Sequence, residues 1–210
     1  YMSQSAVRYV SARAAHSDLL YKIKDWRHNY DGVGMMFCEM DNGMIARVTG
    51  CTAMASDYSR YRVCGDISSV ECGGYVPDDQ VRHFYFDHLK PEGSESNVFM
   101  YSDDISDLVE DAEKAEKAGH GGGDYWVVRE IIDMMKNGKQ PFFDVYRAVN
   151  LSATAILGWR SCLNHGENMK VPDFRIPEER DAVRNDDLTP FPDENGIIDI
   201  DGLPMITDLS

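Results

Sequence analysis

The hydrophobic period of this chain changes once, and that change narrows the folds open to it. From Val7 to Phe86 apolar residues alternate with polar ones, the period of a half-buried strand. Strands are expected at Val7 to Ala14, Val33 to Met40, Met44 to Thr52, Tyr61 to Cys64, Ser68 to Cys72 and Val81 to Phe86. Asp41-Asn42-Gly43 joins the second and third as a hairpin, because Asn-Gly accepts the positive φ angles of tight turns. Gly65-Asp66 joins the next pair. After residue 103 the period becomes helical. Asp103 to Ala118 reads as an exposed acidic helix, and Asp124 to Lys136 as a buried one closed by Asn137-Gly138. Pro141-Phe142-Phe143-Asp144 opens a long helix that presents Val145, Val149, Ala153, Ile156, Leu157 and Leu163 on one side and ends at Asn164-His165-Gly166. Strands first and helices last imply an α+β fold, an open and largely antiparallel sheet with helices packed on one face.

Between the first two helices lies Gly119-His120-Gly121-Gly122-Gly123-Asp124-Tyr125-Trp126, with four glycines in five positions. Such a run turns tightly and lets backbone approach a ligand closely. It delivers His120 to the mouth of the following helix, with Asp124 placed to cap the first turn. The alternative is a plain connection that leaves His120 in solvent. A second polar and aromatic stretch, Asp25-Trp26-Arg27-His28-Asn29-Tyr30-Asp31, combines a ring platform with donors and acceptors, the set that grips sugar hydroxyls and the apolar face of a pyranose. It reads equally as a surface loop around a partly buried Trp26.

The 210 residues carry a net charge of -15, which excludes a phosphate-backbone partner. No run of about 18 apolar residues spans a bilayer. The first residues lack the pattern of a signal peptide. Five cysteines without a C-x-x-C pair read as reduced and mostly buried, in a cytoplasmic setting. The histidines show no metal-ligand spacing, so no metal site is expected. No dinucleotide fingerprint is present: Gly32-Val33-Gly34 reaches Phe37, and Gly119-His120-Gly121 reaches Asp124, where a third glycine is required. Residues 176–210 form a proline-rich acidic tail with a few apolar positions such as Ile197 and Leu203.

Taken in order, Gly119 to Tyr125, Asn137-Gly138-Lys139-Gln140-Pro141, Asp144-Val145-Tyr146-Arg147-Ala148 with its helix to Gly166, and Val171-Pro172-Asp173-Phe174 resemble the C-terminal domain of Gfo/Idh/MocA-family oxidoreductases. The resemblance is nearest the branch shared with NAD-dependent glycosidases, where a His-Gly-Gly loop occurs. Tyr61-Arg62-Val63-Cys64-Gly65 to Val70-Glu71 resembles that family's sheet segment. The likeness covers residues 1–175 and leaves the tail uncovered.

The resemblance implies a parent enzyme in which NAD or NADP is held by an N-terminal Rossmann domain, here absent and supplied by the parent chain or by a separate subunit. The present chain would be its substrate-binding domain, a homo-oligomer through the sheet and inactive alone. The family's Glu-Lys-Pro segment is missing; Lys90-Pro91 follows Leu89 and does not replace it. The substrate would be a sugar or glycoside, with His120 binding a hydroxyl or moving a proton and Gly121, Asp124, Tyr125, Trp26, Arg27 and His28 as substrate contacts. Three functions follow: part of a sugar oxidoreductase, part of a glycosidase acting by oxidation and elimination, or a non-catalytic carbohydrate-binding module. The abrupt start at Tyr1-Met2-Ser3-Gln4 reads as an excised domain.

Overall fold

The computed structural model describes residues 4–16, 31–51, 60–73, 80–102 and 110–188. They fall into two compact units, one from residues 1–55 and 140–210 and the other from residues 56–139. The expected open antiparallel sheet with helices is present, divided into two sheets of four strands. Every pairing among the described strands is antiparallel.

In the first unit, β1 (Val7–His16), β2 (Asp31–Met40), β3 (Ile45–Cys51) and the two-residue β8 (Met169–Lys170) lie in the order β3-β2-β1-β8. Alternation places Val10, Ala12, Met36, Cys38 and Ala46 on one face and Tyr9, Met35, Phe37 and Ile45 on the other. A bulge between Val7 and Tyr9 resets the phase, so Val7 and Val10, three apart, are both buried. With Cys38 and Val171 they form the core, flanked by Met36, Met40, Ala153 and Leu157.

Four helices are described: α1 (Ala112–Glu116), α2 (Gly123–Asn137), α3 (Val145–Leu163) and α4 (Pro177–Ala182). Helix α3 packs on β1 and is started by Asp144, whose side chain accepts from the Arg147 amide at 2.9 Å. The face it buries follows the expected apolar line only in part: Ala153 and Leu157 pack against the core. Val145 and Ile156 are exposed, whereas Thr154, Gly158 and Ser161 are buried. The reason is closeness. A Cβ on Gly158 would stand 3.3 Å from Met36 Sδ, tighter than ordinary contact, and 3.7 Å from Val10 Cγ2, so even the smallest side chain would press on the sheet there.

The polar residues of that face complete the edge of β1, which β8 covers only at Tyr9 and Val10. Asn150 takes the Val7 amide at 3.0 Å and donates to the Val7 carbonyl at 3.0 Å, as a neighbouring strand would. Ser161 Oγ accepts from the Ala12 amide at 2.9 Å and donates to the Glu167 carbonyl at 2.6 Å. The edge is thus closed by side chains of a helix.

The second unit holds the sheet β4-β5-β6-β7, built from Arg60–Cys64, Ser68–Gly73, Gln80–Tyr85 and Val98–Ser102. β7 has no counterpart in the expected strands. Helix α2 departs from expectation too. It has no buried residue; Val128 is 53% and Met135 77% exposed. Its principal described neighbours are the five-residue α1 and the turn before it, too short to cover four helical turns. The acidic helix expected over 103–118 is described only from residue 110, where α1 occupies Ala112–Glu116.

None of Cys38, Cys64, Cys72 and Cys162 is in a disulfide; Cys38 is buried, whereas Cys64 is exposed and Cys72 intermediate on strands covered on one face, and Cys162 is intermediate on α3. Of the tail, α4 and the turns to residue 188 are described; Arg160 holds Asp186 through two contacts of 2.6 and 2.7 Å. No helix among the described residues is long and apolar enough to cross a membrane.

Two substitutions separate close packing from simple apolar content. Ser161→Ala orphans the buried Ala12 amide and costs about 1–3 kcal/mol. Gly158→Leu overfills the contact with Met36 and costs a similar ~1–3 kcal/mol. Exposed Ile156→Ala costs under about 1 kcal/mol. Urea denaturation of the three variants checks the order.

Candidate functional site

The glycine-rich loop forms a 3-10 turn, His120–Gly122, that runs directly into α2. Three successive residues, His120, Gly121 and Gly122, have positive φ of 54°, 60° and 91°. For the glycines this is easy. For histidine it is an uncommon conformation, and residues held so cluster at functional sites.

Gly122, not Asp124, is the N-cap of α2, in left-handed geometry. The helix therefore starts earlier than expected, and Asp124 lies inside its first turn with its carboxylate directed elsewhere. Its two oxygens stand 3.0 and 3.1 Å from His120 Nδ1. The backbone makes room for this: a Cβ on Gly119 would sit 2.5 Å from Asp124 Oδ2. A Cβ on Gly122 would sit 3.1 Å from the Ala115 carbonyl, so this glycine also sets the junction between α1 and α2. The pair is open to solvent, the His120 side chain 86% and that of Asp124 57% exposed.

Asp124 also lines an open depression of about 360 Å³ with Ala118, Tyr125, Val128, Arg129 and Ile132. Its lining is mostly apolar. Tyr125 is half-buried, which raises its hydroxyl above the usual phenol range, as does its hydrogen bond to Asp111. Asp111 in turn meets Lys114 at 2.5 Å and Arg129 at 3.3 Å, and the Lys114 and Tyr125 hydrogen bonds hold its carboxyl below the ordinary value. Arg129 pairs with Glu110 and Asp111 and lies over the Trp126 ring at 5.4 Å.

The structure thus brings His120, Gly121, Asp124 and Tyr125 together on one loop and helix start. Trp26, Arg27 and His28 lie outside the described residues. Asp111, which anchors Tyr125, is a residue that the sequence did not single out; within an acidic run nothing distinguishes it. Among the described residues no three His, Cys, Asp or Glu side chains converge as metal ligands. The one glycine-rich helix start carries the Asp124 carboxylate, which opposes a pyrophosphate.

Replacing Gly122 with alanine should cost about 1–3 kcal/mol, since the left-handed backbone and the Ala115 carbonyl both resist a Cβ. Hydrogen exchange should show the loss as faster exchange at the start of α2, with the β1–β2 amides unchanged.

Residues 100–178 match the family model for the C-terminal domain of glycosyl hydrolase 109. A glycosyl hydrolase family 109 protein of Solibacter usitatus (strain Ellin6076) is 41% identical over 59 residues, 28% of this chain and 14% of that protein. An alpha-N-acetylgalactosaminidase of Tannerella forsythia is 39% identical over 61 residues, 29% of this chain and 13% of its own. Among solved structures, a levoglucosan dehydrogenase in complex with NADH and L-sorbose superposes with a TM-score of 0.54 at 11% identity, over 80% of this chain and 45% of that one. An oxidoreductase from Pseudomonas syringae does so with a TM-score of 0.52 at 12% identity, over 81% and 47%. The chain spans less than half of these structural neighbours, and the matched segment about a seventh of the curated relatives. At such identities the superpositions speak for the fold. Residues 100–178 are thus similar to the C-terminal domain of glycosyl hydrolase 109, and the chain shares the fold of the matching part of these oxidoreductase structures.

Proposed function

We propose that this chain is the substrate-side and assembly domain of an NAD-using enzyme that acts on a sugar or glycoside, with glycoside hydrolysis as the net reaction. The observation that carries the proposal is the His120-Asp124 pair, set in a left-handed loop inside the segment matching glycosyl hydrolase 109. In this reading the sugar lies over the loop, against the Gly121 backbone and the open depression beside Asp124 and Tyr125. Trp26, Arg27 and His28 supply further contacts. His120 takes a hydrogen bond or a proton from a sugar hydroxyl. NAD or NADP is held by the remainder of the parent or by another subunit and supplies the hydride chemistry. Cys38, Cys64, Cys72 and Cys162, none of them in a disulfide, suit a reducing, cytoplasmic setting.

A second reading, net oxidation of the sugar, draws on the dehydrogenase fold of the structural neighbours. Product analysis on the parent enzyme separates the two, since net hydrolysis leaves the cofactor balance unchanged.

N-acetylgalactosamine or its methyl glycoside should bind the 210-residue chain weakly, and His120→Ala should weaken that binding at least about tenfold, ~1.4 kcal/mol, with the circular dichroism unchanged. Calorimetry should detect no binding of NAD and no turnover by the chain alone. Binding of NAD, unaided turnover, or sugar binding indifferent to His120→Ala overturns this reading.

Assembly is proposed through the sheet face opposite α3, where Tyr9, Met35, Phe37 and Ile45 are 39%, 40%, 48% and 71% exposed. That row of large apolar side chains suits a second copy. Light scattering should give a mass above 23.7 kDa that falls to the monomer value on Phe37→Lys; a monomer at high concentration sinks the proposal.

A further inference from the structure

We propose that Asp124 is the positioning residue of His120: it fixes the imidazole as the Nδ1-H tautomer and leaves the Nε2 lone pair free to accept a proton from a ligand hydroxyl. Its use in catalysis rests on the reading of this loop as a sugar site, but the tautomer itself does not.

The argument is geometric. Both Asp124 oxygens lie within hydrogen-bond distance of Nδ1, at 3.0 and 3.1 Å, and a carboxylate is an acceptor only. A neutral imidazole with its Nδ1 so placed must carry its proton there, which makes Nε2 the acceptor. Among the described residues Nε2 has no partner. Two cations of the same unit are engaged elsewhere, Arg129 with Glu110 and Asp111 and Lys114 with Asp111.

Three features of the loop serve this contact. Gly119 leaves empty the space that the carboxylate occupies, its Cβ position being 2.5 Å from Oδ2. The positive φ of His120 turns its side chain back toward the helix start. Asp124 sits in the first turn of α2, where the positive end of the helix dipole favours a negative charge. The carboxylate thus acts on a ligand through the imidazole.

The test is nitrogen-15 NMR of the imidazole in the 210-residue chain, at a pH where His120 is neutral. The wild type should show a protonated Nδ1 and an unprotonated Nε2. Asp124→Ala should reverse that pattern, and Asp124→Asn, which keeps one acceptor oxygen, should largely preserve it. Gly119→Ala provides a second route, because it keeps the carboxylate but drives it off the ring; it should reverse the pattern as Asp124→Ala does. An Nε2-H tautomer in the wild type, or an unchanged pattern in both Asp124→Ala and Gly119→Ala, overturns the proposal. Because no sugar enters the measurement, a failed sugar titration beside a reversed tautomer would count against the sugar reading alone.

Discussion

The first unit depends on one constraint: the edge of β1 must be closed, and β8 is two residues long. An open strand edge presents unpaired amides and carbonyls that cost free energy if buried and invite foreign pairing if exposed. Here Asn150 and Ser161, three helical turns apart on α3, take those groups at either end of the short β8 ladder. The helix then cannot stand at ordinary packing distance. It must approach near enough for a serine hydroxyl to reach an amide, and Gly158 between them permits it. Small and polar residues accordingly occupy the face where larger apolar ones would be expected.

That requirement explains what was legible in the residues and what was not. Alternation and Asn-Gly chemistry located β1, β2, β3 and their hairpin to within a few residues, because a strand covered on one face writes its period directly into the sequence. The apolar line assigned to α3 was partly misplaced for the opposite reason. Asn150, Thr154 and Ser161 share a stripe at helical spacing, but hydrophobicity counts them as surface. β7, Val98–Ser102, was missed because its run of Val98, Phe99, Met100 and Tyr101 has no period of two. Helix α2 was legible as a helix and not as an exposed one: Val127, Val128, Ile131, Ile132, Met134 and Met135 reveal a stripe, and a stripe does not say what covers it.

The site was legible as a place and less so as an arrangement. Four glycines around a histidine announce an unusual backbone, and the positive φ run from His120 to Gly122 is its realisation. The expectation that Asp124 caps the helix fails by one local event, the left-handed Gly122 taking the cap position. Displaced from the amides, the carboxylate turns to the imidazole. Sequence spacing alone allows either partner, since a first-turn aspartate can reach its own helix amides or a side chain four residues before it. The empty Cβ position of Gly119 decides between them, and that is a fact of three dimensions.

The exposure of the pair sets how much it can do unaided. Two opposite charges at about 4 Å in bulk water interact by only ~1 kcal/mol, and exposed ion pairs retain about 0.2–1 kcal/mol of that. With the His120 side chain 86% exposed, the contribution of Asp124 in this state is therefore chiefly directional: it chooses which nitrogen faces outward. Proton transfer at a useful rate needs the same contact in a drier place, where preorganised groups act with far greater effect. The helix start carries apolar surface suited to that change, since Val128 and Ile132 help line the depression beside Asp124, side chains that lose nothing when water leaves. A ligand or chain segment seated there would strengthen the dyad without moving it, which makes a preset tautomer worth building into an otherwise open surface.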